Sequence, residues 1–169
     1  MKQPLVSVVI PAYNGGKTLR KCLESVLAQS YRQLQVVVVD DGSTDCTAQV
    51  LDDCAAKDPR IIAIHQKNAG VSAARNAAIA QCTGEYVQFV DCDDTLPVDS
   101  TATLVERAEG DDSDLVIGAY SMVLGNLSET KDLGKRNDAM SLEEFLGLLC
   151  KYPNSFYYGV LWNKLFRRE

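Results

Sequence analysis

The chain has 169 residues, 46% of them hydrophobic and 24% charged, which suits one globular domain with a core of its own. Its net charge of −6 excludes a general nucleic-acid surface, which needs a basic face, and no apolar run is long enough to cross a bilayer. Six cysteines with no Cys-x-x-Cys pair argue against a zinc ribbon or redox dithiol, and a single histidine, His65, argues against a His-based triad or multi-histidine metal site. The cysteines read as reduced, mostly small core residues, and His65 as a strand-end residue. Met1-Lys2-Gln3-Pro4 leads straight into a strand-like run with no signal-peptide pattern, so the expected location is cytoplasmic.

Residues 5–10 form an apolar strand that Pro11 stops, because proline cannot continue a central strand. Leu19, Cys22, Leu23, Val26 and Leu27 share one face of an amphipathic helix. The valine run over 35–39 marks a strand buried on both faces of a parallel sheet. Asp41-Gly42-Ser43-Thr44-Asp45 then turns the chain and caps a helix to about residue 57. A third strand spans 60–65, a helix 71–82, and after the helix-breaking Gly84 a fourth strand spans 85–90.

Further on, a helix over 100–108 ends at Gly110-Asp111-Asp112, and 114–123 reads as a fifth strand. Gly125-Asn126 suits a hairpin turn, and the sequon Asn126-Leu127-Ser128 is read as part of that turn. Ser141-Leu142-Glu143-Glu144 is a capping box opening a helix to about residue 151, and another helix is expected to start near Leu161.

Strands alternating with helical crossovers give an α/β fold with a mostly parallel sheet, whose ligands bind at the carboxyl ends of the strands. Polar clusters fall at those four ends: residues 11–14, Asp40-Asp41, residues 66–70, and Asp91-Cys92-Asp93-Asp94. The three acids of the last cluster repel one another unless a cation joins them, and hard oxygens suit Mg²⁺ or Mn²⁺, ions that in turn hold phosphates. The plainer reading is a solvated turn, with Asp94 or Thr95 capping a helix that has Pro97 near its start. Cys92 is soft among hard donors and is assigned to backbone or packing rather than to the metal. Tyr13 either stacks on a nucleobase, a contact worth about 1–3 kcal/mol in comparable sites, or packs over the sheet edge. Of Asp40 and Asp41, one is expected to cap a helix and Asp41 to bind ligand. Gly70 permits close backbone approach at a helix N-terminus that favours anions. Arg75, one turn into that helix, either braces a phosphate, pairs with the acid cluster, or makes a weak surface ion pair.

The motifs Val8-Val9-Ile10-Pro11-Ala12-Tyr13-Asn14, Val39-Asp40-Asp41-Gly42-Ser43-Thr44-Asp45, Asn68-Ala69-Gly70-Val71-Ser72-Ala73-Ala74-Arg75-Asn76 and Asp91-Cys92-Asp93-Asp94 stand in the order and spacing of family-2 glycosyltransferases. The chain resembles that family over residues 4–100, and Trp162-Asn163-Lys164-Leu165-Phe166-Arg167-Arg168 is similar to a segment of many bacterial members. The resemblance implies the GT-A fold, a Rossmann-like sheet flanked by helices. It implies a single nucleotide-sugar-binding domain over 1–169, with a donor-binding half over 1–100 and the start of an acceptor half over 101–169.

It also implies that Pro11, Ala12, Tyr13 and Asp41 hold the base of a nucleotide sugar, usually a UDP-sugar. Asp91 would lie by ribose and metal, Asp93 would be the principal Mg²⁺ or Mn²⁺ ligand, and Arg75 would support the pyrophosphate. Asn14, Asp40, Asn68, Gly70 and Cys92 complete the implied donor site. The implied reaction transfers a sugar to the hydroxyl of a glycan or lipid-linked acceptor with inversion, in bacterial surface glycan synthesis, and needs a general base. The family places that base beyond the Trp162–Arg168 segment, so it is expected past Glu169, on a longer chain than this one.

A sugar-nucleotide-binding module without turnover is the alternative function. A phosphoacceptor signalling domain needs its acid pair after the first strand, whereas Asp40-Asp41 follows the second. A dinucleotide oxidoreductase needs Gly-x-Gly-x-x-Gly, which Asn14-Gly15-Gly16 does not supply. The aromatic run 156–162, followed by Lys164, Arg167 and Arg168, reads either as a peripheral membrane contact at the inner membrane face or as core packing.

Overall fold

A computed structural model describes residues 3–124, 127–131, 139–152 and 159–168. Eight strands and five helices follow one another as β1 (Val6–Ala12), α1 (Leu19–Leu27), β2 (Leu34–Asp40), α2 (Thr47–Ala55), β3 (Ile61–His65), α3 (Val71–Ile79), β4 (Tyr86–Phe89), α4 (Ser100–Asp111), β5 (Leu115–Ile117), β6 (Tyr120–Leu124), β7 (Leu127–Lys131), α5 (Leu142–Lys151) and β8 (Lys164–Arg167) among the described residues. Six strands form one sheet in the order β3-β2-β1-β4-β8-β5. β1, β2, β3 and β4 run parallel, and β8 runs antiparallel between β4 and β5.

The valines explain the layering. Successive strand residues face opposite sides, so Val8, Ile10, Val36 and Val38 join Leu19, Leu23, Val26, Leu51 and Val105 in one core. Val9, Val37 and Val39 face the other way, onto Ala74 and Ala78 of α3. The four valines of β2 are fully buried, and burial of each stabilises by roughly 1.5–3 kcal/mol. The small residues of α3 let that helix lie close against β1 and β2. At Gly84 the backbone is tighter still: an added Cβ would stand 2.6 Å from the Ser7 nitrogen.

Three expectations need correction. Pro11 does not stop β1; it pairs in register with Val39 inside the strand. The Val9 carbonyl accepts from the Val90 N–H, so Pro11, two residues on, faces the same side, past the last β4 residue in register, where no ladder donor is required. The expected single strand over 114–123 breaks at Gly118-Ala119 into β5 and β6, because β5 pairs with β8 while β6 pairs with β7 in a separate hairpin. The turn residues Gly125-Asn126 of that hairpin, and the aromatic residues 156–158, lie outside the described residues. The expected helix from Leu161 is instead the strand β8. Leu161 and Leu165 stand four apart and mimic a helical face, but hydrogen bonding from β4 on one side and β5 on the other claims the backbone.

Smaller differences follow local chemistry. α2 and α3 end at Ala55 and Ile79, a turn or less short of expectation. α4 starts at Ser100, after Asp99 and not after Asp94 or Thr95. The capping box on α5 is present: the Glu144 N–H donates to Ser141 Oγ at 3.2 Å, and the Ser141 N–H donates to Glu144 Oε2 at 2.8 Å. All six cysteines are free, but only Cys22 and Cys82 are buried, while Cys46 and Cys150 are exposed. Among the described residues no helix is long and apolar enough to cross a membrane.

The placement of β8 is directly testable. Leu165 is 1% exposed, so Leu165→Ala should destabilise the protein by about 2–5 kcal/mol, read as a lowered urea midpoint. An unchanged midpoint would contradict its burial between β4 and β5.

Candidate functional site

The loops at the carboxyl ends of the strands are tied to one another before any ligand is considered. Asn14 takes a left-handed φ of +52°. Its N–H donates to Ser43 Oγ at 2.9 Å, and its side-chain oxygen accepts from the Thr44 N–H at 2.9 Å. The loop after β1 is thereby clamped to the loop after β2. Just before α2, one Asp45 oxygen accepts from the Thr47 N–H at 2.9 Å and the other from the Gly16 N–H at 3.0 Å. Gly42, at φ +70°, lies so close to the loop after β3 that an added Cβ would meet the Asn68 nitrogen at 2.6 Å.

Asp41 closes this arrangement. Its carboxylate accepts from Gln66 Nε2 at 2.7 Å, from the Ala69 N–H at 2.9 Å and from the Gly70 N–H at 2.8 Å. The side chain of Gln66 first, and then the two backbone donors, hold the Asp41 carboxyl below its ordinary range against the opposing effect of burial. The anion expected at the N-terminus of α3 is therefore supplied by the protein itself. Asp40 is spent differently: one oxygen accepts from the Ser43 N–H at 3.1 Å and the other lies 3.2 Å from His65 Nδ1. His65 Nε2 stands 3.1 Å from Asp52 Oδ1. Hydrogen bonding to Asp40, then to Asp52, raises the His65 pKa.

A cleft of about 330 Å³ opens over the ends of β1 and β2. Of the expected donor-site residues, Pro11, Ala12, Tyr13, Asp41, Asn68 and Gly70 line it. Tyr13 is 52% exposed, so its ring is available to a ligand. Val71 and Ala74 complete the apolar wall. The sequence reading passed over these two, although they lie on the first turn of α3 after Gly70. Asn14, Asp40, Arg75, Asp91 and Cys92 do not line this cleft.

The acid turn sits beside it. The Asp94 N–H donates to the Asp91 carbonyl at 3.0 Å, closing residues 91–94 into a turn. Arg75 Nη2 donates to Asp91 Oδ1 at 2.8 Å, so of its three readings the pairing with the acid cluster is the one observed. Its buried Nε has no hydrogen-bond partner among the described residues. Cys92 is half-buried and packs on the larger core, with its thiol pKa pushed up by that burial. Partial burial, then the charges of Asp93 and Asp91, raise the Asp94 pKa. Burial first, and next Cys92 and the three aspartates, push the Cys22 thiol up to about 12.

Asp93 and Asp94 open into a second, larger cleft of about 1120 Å³ between the acid turn, α4, the β6–β7 hairpin and the segment before β8. Lys164, which the sequence offered as part of a membrane-contacting segment, is instead buried, 2% exposed, beside the cleft-lining Asn163. Its ammonium donates to the Val160 carbonyl and, at 2.8 Å, to Asn163 Oδ1. Burial lowers its pKa to about 8.

Among the described residues, no three His, Cys, Asp or Glu side chains are gathered closely enough to hold a metal on their own. The donor chemistry fits a shared ion nonetheless. Mg²⁺ commonly takes one or two carboxylates and completes its shell with phosphate and water, and Asp93 is exposed beside the Arg75-paired Asp91.

The sequence pattern of the Glycosyl transferase family 2 matches residues 7–169. The chain belongs to glycosyltransferase family 2. It is 33% identical over its full length to the putative glycosyltransferase EpsH of Bacillus subtilis, covering 48% of that protein. It is 41% identical to the glycosyltransferase GlyA of Streptococcus pneumoniae over 68% of this chain and 16% of that protein. The crystal structure of Staphylococcus aureus TarS residues 1–349 superposes with a TM-score of 0.70 at 26% identity, over 96% of this chain and 47% of that one. The mannosyltransferase PcManGT from Pyrobaculum calidifontis, solved in complex with GDP-Man and Mn²⁺, superposes with a TM-score of 0.62 at 31% identity, over 73% of this chain and 36% of that one. The family-2 chain thus spans about half the length of the relatives it matches end to end, and its sheet and flanking helices are those of the GT-A fold.

The Asp41 clasp predicts a pH signature. A carboxyl whose folded pKa lies below its unfolded value of 3.8 stabilises the fold above that pH, and the contribution is lost as pH falls through the folded pKa. Asp41→Asn should therefore lower the urea midpoint at pH 6, with the gap to the parent narrowing below about pH 3.8. A gap independent of pH would contradict the clasp.

Proposed function

We propose that this domain binds the donor of a sugar transfer, a nucleotide sugar of the UDP type, and orients it for attack by an acceptor hydroxyl. The observation carrying this reading is the meeting, at one rim of the sheet, of a small apolar cleft, an acid turn and a larger cleft. The base would lie in the small cleft between Tyr13 and the Val71–Ala74 wall, with Asp41 at its edge. The diphosphate would run past the Arg75–Asp91 pair toward Asp93, leaving the sugar at the mouth of the larger cleft. Structures of TarS with UDP and with UDP-GlcNAc, and of PcManGT with GDP-Man and Mn²⁺, support the ligand class.

In the reaction the bond between the anomeric carbon and the diphosphate oxygen breaks, and its electron pair leaves with the nucleoside diphosphate. A new bond forms from the acceptor oxygen on the opposite face, which inverts the centre. The acceptor proton passes to a general base. A divalent ion held by Asp93 and Asp91 would supply positive charge to the leaving diphosphate. The side chains in this chain bind, orient and screen: Arg75 holds Asp91 in place, and the loop clamps keep Tyr13 and Asp41 at fixed spacing.

Calorimetric titration of the protein with UDP in the presence of Mn²⁺ should show saturable binding that Asp93→Ala weakens at least tenfold. Absence of binding, or binding indifferent to Asp93→Ala, would overturn the reading. Release of UDP from UDP-sugar and acceptor by the full-length protein distinguishes transfer from binding without turnover.

A further inference from the structure

Outside both clefts, at the edge of the sheet, His65 stands between two carboxylates. It ends β3; its Nδ1 lies 3.2 Å from Asp40 Oδ2 on β2, and its Nε2 lies 3.1 Å from Asp52 Oδ1 on α2. An ionised carboxylate only accepts, so both contacts are hydrogen bonds only when both ring nitrogens carry a proton, which makes the ring an imidazolium. The neutral ring has one N–H to give. Asp40 is 4% exposed, whereas the Asp52 side chain is 66% exposed. The neutral ring therefore keeps its N–H on the buried Asp40 and leaves Asp52 to water.

The effect reaches the small cleft through Asp40. The other Asp40 oxygen accepts from the Ser43 N–H at 3.1 Å, and Ser43 Oγ accepts from the Asn14 N–H at 2.9 Å. Asn14 follows Tyr13, whose ring lines the cleft. A line of hydrogen bonds thus runs from α2, through the edge strand, to the loop after β1. With the ring charged, the bond to Asp40 joins two ions and α2 is tied to the rim; with the ring neutral, that bond weakens and the tie to α2 is gone. Asp40 and Asp52 are the charged groups facing the ring from β2 and α2, the two elements packed on β3. Asp53, next on α2, pairs with Arg20, and Asp45, just before that helix, is taken by Thr47 and Gly16.

We propose that His65 is a positioning residue for nucleotide binding: as an imidazolium it fixes Asp40 and, through Ser43 and Asn14, the loop that carries Tyr13, so the small cleft holds its ligand more tightly when His65 is protonated. This rests on the donor reading above. Hydrogen bonding to Asp40, opposed by burial and helped by Asp52, raises the His65 pKa from 6.5. The ring stays charged past that pH, and the tie it makes is lost as pH rises through the raised value.

His65 is the single histidine of the chain, so its imidazole resonances report on this position alone. Calorimetric titration with UDP and Mg²⁺ over a range of pH, on the parent and on His65→Gln, tests the inference; glutamine keeps an N–H donor and carries no charge. The terminal phosphate of UDP titrates in the same window, and that effect cancels in the ratio of the two proteins. The parent should bind UDP about threefold more tightly than His65→Gln below the His65 pKa, with the two converging above it. By reciprocity, saturating UDP should raise the His65 midpoint, followed by NMR, by about half a pH unit. Ser43→Ala cuts the line without touching the ring and should remove that rise, whereas a through-space effect of the nucleotide's charge would survive it. A ratio that does not change with pH, a midpoint that UDP leaves in place, or a rise that persists in Ser43→Ala would overturn the positioning role while leaving the donor reading intact. Failure of the parent to bind UDP at any pH would overturn the donor reading, and the positioning role with it.

Discussion

One buried carboxylate organises the rim of this sheet. Asp41 receives the side-chain amide of Gln66 and the main-chain N–H groups of Ala69 and Gly70, so the end of β2 and the start of α3 cannot separate without stripping a buried carboxylate of its donors, at a penalty of about 1–3 kcal/mol or more. Gly42 makes the closeness possible, since any side chain there would collide with Asn68. Asn14 and Asp45 extend the same stitching to the loop after β1. The walls of the small cleft are consequently fixed by hydrogen bonds inside the protein, and a planar ligand entering between Tyr13 and α3 meets a site already formed.

The acid turn has the opposite character. Asp91, Asp93 and Asp94 lie within four residues, and among the described residues the cation ion-paired to them is Arg75. Burial first, and after it the charges of the neighbouring acidic groups, raise the pKa of Asp94 and of the Cys22 thiol. In the function proposed above, a rigid clasp beside an under-compensated acid cluster would divide the work of the rim, the first meeting the flat base of a nucleotide sugar and the second, through a cation, its diphosphate.

The first four strands were legible because buried parallel strands are written as unbroken β-branched runs, and Val36 to Val39 are all fully buried. The site motifs were legible because they fall at the carboxyl ends of those strands. What the motifs could not reveal is which oxygen is already committed. Asp41 reads as an open ligand group and is found occupied by three donors; Arg75 reads three ways and is found on Asp91. The second half was harder to read for a different reason. β8 comes last in sequence and lies between β4 and β5, so its strand character is set by non-local pairing that no local period records. Lys164 shows the same effect, a residue 2% exposed whose ammonium donates to the carbonyl of Val160 and the side-chain oxygen of Asn163.

The account turns on where a divalent ion sits when nucleotide is present. Paramagnetic broadening of backbone amide signals by Mn²⁺, in the presence of UDP, locates that ion directly. Amides of residues 91–95 should vanish first, those of the β6–β7 hairpin should persist, and Asp93→Ala should restore the lost signals. Broadening centred elsewhere on the molecule, or unchanged in Asp93→Ala, would contradict the assignment of the acid turn as the ion's seat.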